Sequence, residues 1–154
     1  MHESCGVFGI YSPDEDVARL TFFGLFALQH RGQESSGIAT ANGTKLDIYT
    51  GMGRVSSVFS EDSLTRLTGH IAIGHNRYST SGSSRAANAQ PIIVGNGNDA
   101  IAIAHNGNIV NAGYLQKELL DSGYTFRSGT DTEVSPISSA PPRKKTWWTR
   151  YYMP

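Results

Sequence analysis

Cys5 is the residue of this sequence best suited to nucleophilic chemistry. It stands immediately before Gly6 and the apolar run GVFGIY (Gly6–Tyr11). A thiol attacks as its thiolate, and a free thiol titrates near ~8.5, so it needs a base or a positive neighbour. Cleavage after Ser4 would make Cys5 N-terminal. Its own α-amine, titrating at roughly 7.7–8.0, would then accept the thiol proton. Taken without that chemistry, a lone cysteine beside a strand is an inert buried residue.

Three further segments carry groups that suit an amino acid amide. Ala104-His105-Asn106-Gly107-Asn108 closes an apolar run with a tight turn. The Asn106 side-chain amide and the Gly107 backbone N–H are donors for an oxyanion, although an Asn-Gly pair also serves as an ordinary turn. In Gly74-His75-Asn76-Arg77-Tyr78-Ser79-Thr80-Ser81-Gly82, Arg77 is able to grip a carboxylate through paired hydrogen bonds, with Thr80 adding a hydroxyl. Asp131, within Ser128–Glu133, is a partner for an ammonium group or a helix cap with Glu133 in the first turn. His30, His75 and His105 have no recognisable metal spacing and are taken as structural hydrogen-bonders.

Short strands and two helices are expected to position these groups. Gly6–Tyr11 is a β-prone run stopped by Ser12-Pro13-Asp14. From Asp16 to about His30, Val17, Leu20, Phe23, Ala27 and Leu28 recur at helical spacing, with Gly32 behind them. Asn42-Gly43-Thr44 joins Gly37–Ala41 to Lys45–Thr50 as a hairpin. Further strands are expected at His70–His75, Pro91–Gly95 and Ala100–His105. Asn111 should cap a helix running to about Ser122, with Leu115 and Leu119 on one face and Gly123 as its stop. Many β segments around few helices predict an α+β fold.

Composition limits the alternatives. The 154 residues carry 13 basic and 13 acidic side chains. Residues 1–134 hold 9 of the basic and all 13 acidic ones, a net charge of −4, while residues 135–154 hold four basic and no acidic residue. That last segment also contains both tryptophans and four of the six prolines, without helical or strand period. One cysteine excludes an internal disulfide framework and any multi-cysteine metal site built from this chain alone. No apolar run approaches the ~20 residues of a membrane span, and no secretory signal is evident. A soluble, cytoplasmic protein is expected, with neither nucleic acid nor membrane as partner.

The segments CGVFGIY, LQHRGQESSGIA, GHNRYSTSG, AQP, AHNGNIVNA and SGTDTEV occur in this order over residues 5–134. Together they closely resemble the glutaminase domain that opens the amidophosphoribosyltransferase family. Its wider group is the class II glutamine amidotransferases, which are N-terminal nucleophile hydrolases. The run LQHRGQE (Leu28–Glu34) separates this family from sister families that make glucosamine-6-phosphate or asparagine.

The resemblance implies an α/β/β/α sandwich, here without the second half of the domain, and roles for single residues. Cys5 matches the nucleophile, and Asn106 and Gly107 match the oxyanion donors. Arg77 matches the arginine that binds the glutamine α-carboxylate, with Thr80 and Ser81 in the same loop. Asp131 matches the partner of the α-ammonium. Tyr78 stands where the family uses an aromatic residue to couple its two active sites. Glutamine is the implied substrate. The ammonia would serve phosphoribosylamine formation from phosphoribosylpyrophosphate in purine synthesis, in an enzyme that can be a homo-oligomer.

Departures from the family pattern shape further expectations. Met1–Ser4 precede Cys5 as a possible propeptide. No phosphate-binding run of the GxxxxGK[ST] type occurs, so no cofactor is expected in this chain, and magnesium only for a transferase domain. The resemblance is placed at residues 1–134, with 135–154 expected as a non-homologous, disordered tail. The alternative for that tail is a nucleic-acid or membrane contact through Arg143, Lys144, Lys145, Trp147, Trp148, Tyr151 and Tyr152. For the whole chain, the alternatives are an inactive remnant that binds glutamine or a partner, and a glutaminase domain serving another acceptor.

Overall fold

In the computed structural model, the described residues are 5–78, 85–95, 97 and 100–134. The apolar run after Cys5 forms β1 (Gly6–Tyr11). Asp16 caps α1 (Val17–Ala27) by accepting the Arg19 backbone N–H. That cap is reinforced by an ion pair from Arg19, which also reaches Glu61. The helix ends before the expected His30, and a 3-10 turn over Gln29–Arg31 carries the chain to Gly32. β2 (Ser35–Ala41) and β3 (Leu46–Met52) form the expected hairpin. Asn42 Oδ1 accepts the Thr44 and Lys45 amides, and Gly43 takes the positive φ that the turn demands.

Two short helices, α2 (Val55–Val58) and α3 (Glu61–Thr65), lie where no helix was expected. Ser60 and Ser63 form a reciprocal capping box at the start of α3. β4 (Ile71–Arg77) runs two residues past the expected His75, because Asn76 and Arg77 pair with β1 and β2 despite their polarity. β5 (Ile92–Val94) and β6 (Ile101–Ile103) make a separate two-stranded ribbon, both strands shorter than expected. α4 (Ala112–Asp121) starts after Asn111 and is followed by Gly123 at positive φ. The Asn111 side chain makes no capping hydrogen bond, so it marks the helix start without supporting it.

The main sheet is antiparallel throughout, in the order β1-β4-β2-β3. One face packs against α1, α2 and α3. Ala18, Leu25, Ile38, Val55, Phe59, Leu64 and Leu67 form its core, with Phe8, Phe22 and Val58 against them. Gly74 makes that packing close, since a methyl group there would lie 2.6 Å from Thr21 and 2.8 Å from Leu25. Burying these side chains is the main stabilising contribution, at about 1.5–3 kcal/mol for each large one.

The opposite face carries Gly37, His75 and Arg77, because strand side chains alternate. Segments flanking the β5–β6 ribbon cover it. A methyl group on Gly37 would overlap the Gln90 carbonyl, and His75 bonds the His105 carbonyl. The fold is therefore α+β, as expected, with helices on one side of the main sheet and the start of a second β layer on the other. Among the described residues, no helix is long and apolar enough to cross a membrane.

Candidate active site

β1 and β4 pair with Gly6 opposite Asn76, so the residues just beyond, Cys5 and Arg77–Tyr78, meet at the same sheet end. The half-buried Cys5 thiol lies against the Tyr78 backbone. The Tyr78 N–H donates to Cys5 Sγ at 3.4 Å, and the thiol donates to the Tyr78 carbonyl at the same distance. Arg31 Nε donates to the Cys5 carbonyl at 3.1 Å, which fixes the backbone that carries the thiol. Composition and spacing left Arg31 unassigned; its place in LQHRGQE was its one signal.

Arg77 is almost wholly buried, at 4% exposure. Its Nη1 donates to the Asn88 carbonyl at 2.7 Å, and its Nε lies 4.0 Å from Glu34 Oε1. Arg77, expected just after a strand, is instead the last residue of β4, with its head braced inside. Asn88 in turn accepts the Gly129 N–H at 2.9 Å. Arg77 thus also steadies the approach to Asp131. The Tyr78 side chain is exposed. Thr80 and Ser81 lie outside the described residues.

Asn106 and Gly107 are exposed, and the residue before them is held from several sides. His105 donates its N–H to Gln90 Oε1 at 2.7 Å. Its carbonyl lies 3.1 Å from His75 Nε2, and its ring Nδ1 lies 3.5 Å from Thr132 Oγ1. Gln90 Nε2 donates to the same Thr132 hydroxyl at 3.0 Å. Asp131 Oδ2 accepts the Ile109 N–H at 2.6 Å and so ties its own segment to the turn after Asn106. Glu133 fixes the preceding loop by accepting the Arg127 and Ser128 amides. Gln90 and Thr132 sit in the quoted segments AQP and SGTDTEV, but their bridge spans 42 positions and leaves no periodic signal.

His75 is fully buried. Desolvation pushes its pKa down to about 4; the charges of Arg77 and His105 add to that, and the bond to the His105 carbonyl opposes it. The ring is therefore neutral near pH 7. Facing a carbonyl, its Nε2 must carry the proton, so His75 donates. The expected structural role of His75 and His105 is what the hydrogen bonds show. Among the described residues, no group of three or more His, Cys, Asp or Glu is placed to hold a metal ion.

A glutamine amidotransferase domain family matches residues 75–150, a span that runs past Val134. The amidophosphoribosyltransferase of Synechocystis sp. is 51% identical over 139 residues, covering 90% of this chain and 28% of that protein. Over most of its length the chain is similar to amidophosphoribosyltransferases. A chloroplastic family member from Arabidopsis thaliana, amidophosphoribosyltransferase 3, is 47% identical over 150 residues, again 28% of its length. The chain thus spans little more than a quarter of these curated members of the family. Among solved structures, the glutamine phosphoribosylpyrophosphate amidotransferase of B. subtilis, complexed with ADP and GMP, aligns with a TM-score of 0.81 at 38% identity. It covers 93% of this chain, which corresponds to 30% of that one. Amidophosphoribosyltransferases of this family therefore share the fold seen here, that of the N-terminal nucleophile hydrolases.

Proposed function

We propose that this chain hydrolyses glutamine through a thioester on Cys5. The observation that carries the reading is the convergence at one sheet end. The Cys5 thiol sits against the β4 terminus, and β4 also holds the His105–Ile109 turn, which is tied to Asp131. That supplies a nucleophile, a pair of oxyanion donors in Asn106 and Gly107, and an anion for the α-ammonium. Arg77 contributes the positive charge that attracts the α-carboxylate, with Tyr78, Thr80 and Ser81 following it in the sequence.

The chemistry balances on these groups. In a form that begins at Cys5, the α-amine takes the thiol proton as sulfur bonds to the amide carbon. Asn106 and Gly107 hold the oxyanion while the tetrahedral adduct forms. The C–N bond breaks as the ammonium returns its proton to the leaving nitrogen, which departs as ammonia. Water then cleaves the thioester, giving glutamate and the free thiol. No metal or cofactor has a role in this sequence of steps. In this reading the ammonia supplies phosphoribosylamine formation in cytoplasmic purine synthesis, as the family name implies.

The test is glutamate release from glutamine by the purified chain and by Cys5→Ala. Release by the wild type alone supports the reading. Equal release by both, or by neither, removes it.

A further inference from the structure

Behind the site, Gln90 makes a bridge to which no role has been given. It is 6% exposed, and its backbone is pinned to the main sheet, where its carbonyl fills the space beside Gly37. Both ends of its side-chain amide are used. Oε1 accepts the His105 N–H at 2.7 Å, and Nε2 donates to Thr132 Oγ1 at 3.0 Å. The same Thr132 hydroxyl also lies 3.5 Å from His105 Nδ1.

The two segments joined this way carry opposite ends of the site. His105 directly precedes Asn106 and Gly107, which face the amide carbonyl of the substrate. Thr132 directly follows Asp131, which faces its α-ammonium. A planar amide of fixed length, engaged at both ends, sets how far apart those segments stand. In an amino acid amide, that separation corresponds to the number of methylenes between the two groups.

We propose that Gln90 is a positioning residue that sets the distance between the Asn106–Gly107 turn and Asp131, and so favours glutamine over its one-methylene-shorter analogue asparagine. The inference rests on the glutaminase reading above. Gln90 acts through His105 and Thr132 rather than by touching the substrate.

The experiment uses the full chain as wild type, Gln90→Met and Gln90→Asn. Methionine keeps the length without the hydrogen bonds, whereas asparagine keeps the amide but is too short to reach both segments. An electrophilic glutamine analogue titrates competent Cys5 sites, and kcat and KM for glutamine and asparagine are then expressed per titrated site. For both variants, glutamine kcat/KM should fall ~100-fold, as expected for a misplaced catalytic group. The preference for glutamine over asparagine should narrow by about tenfold, in the range a single methylene is worth. If the wild type neither titrates nor turns over, the glutaminase reading fails and takes the inference with it. If the wild type is active and the variants lose only titratable sites, keeping kcat, KM and preference, the inference is overturned and the reading stands. Should Gln90→Met give no competent sites, Gln90→Asn decides by the same criteria.

Discussion

The Cys5 sulfur is bracketed by the backbone of Tyr78, 73 positions away, accepting its N–H and donating to its carbonyl at 3.4 Å each. Neither contact uses the Tyr78 side chain, so the position of the thiol follows from the β1–β4 register and from the Arg31 bond to the Cys5 carbonyl. Cys5→Ala should therefore abolish glutamine hydrolysis while changing unfolding free energy by no more than about 1 kcal/mol, the net worth of an ordinary hydrogen bond. Denaturant unfolding beside an activity assay checks this pair of outcomes.

Arg77 should behave differently. Its buried guanidinium holds the Asn88 carbonyl and lies 4.0 Å from the Glu34 carboxylate. Arg77→Ala leaves that carboxylate without its buried cation, a change that typically costs about 2–5 kcal/mol. We expect lower stability as well as weaker labelling of Cys5 by a glutamine analogue. Thermal unfolding separates this variant from Cys5→Ala.

Asp131 combines two tasks that substitution can divide. Its Oδ2 accepts the Ile109 N–H, and its charge is assigned to the substrate ammonium. Asp131→Asn keeps an acceptor oxygen and should raise KM with little loss of stability. Asp131→Ala loses both, so it should also lower kcat by loosening the turn. Steady-state kinetics of the two variants side by side make the comparison.

Gly107 leaves no room for a side chain. An added methyl group would sit 2.6 Å from His105 Nε2, on a ring whose other nitrogen already faces Thr132. Gly107→Ala should shift the turn and cut kcat by roughly 10–100-fold, since small misplacements are costly. Because Gly107 is exposed, the melting temperature should change little.

The buried His75 gives the stability a defined pH dependence. Its pKa is lowered to about 4, from an ordinary value of 6.5. Between those values the unfolded chain binds the extra proton and the folded chain does not, so stability falls as pH drops from 6.5 towards 4. The loss from this one group approaches roughly 3 kcal/mol. His75→Gln, which keeps a donor without titrating in this range, should flatten that part of the curve. Denaturant midpoints from pH 7 to pH 4.5 measure it.

Local chemistry made much of this arrangement legible. The run after Cys5, the Asp16 cap and the Asn42-Gly43 turn each announce their element through a residue that acts within a few positions. Cys5, Arg77, Asn106 and Asp131 were readable as chemical types, and their order as a resemblance. The two helices between Val55 and Thr65 were not, because four or five residues are too few to show a period. Nor was the inward turn of Arg77. Asn76 and Arg77 look like loop residues, and only pairing on both sides makes them strand. The Gln90–Thr132 and His75–His105 bonds were hidden for a related reason. They join positions 42 and 30 apart, through polar side chains that no hydrophobic pattern marks as buried.

Mass spectrometry of the chain after exposure to an electrophilic glutamine analogue tests the central claim most directly. The account predicts a single adduct on Cys5, in molecules that begin at that residue, suppressed by excess glutamine and weakened in Asp131→Ala. An adduct that forms equally on molecules retaining Met1–Ser4, or that glutamine does not suppress, would contradict it.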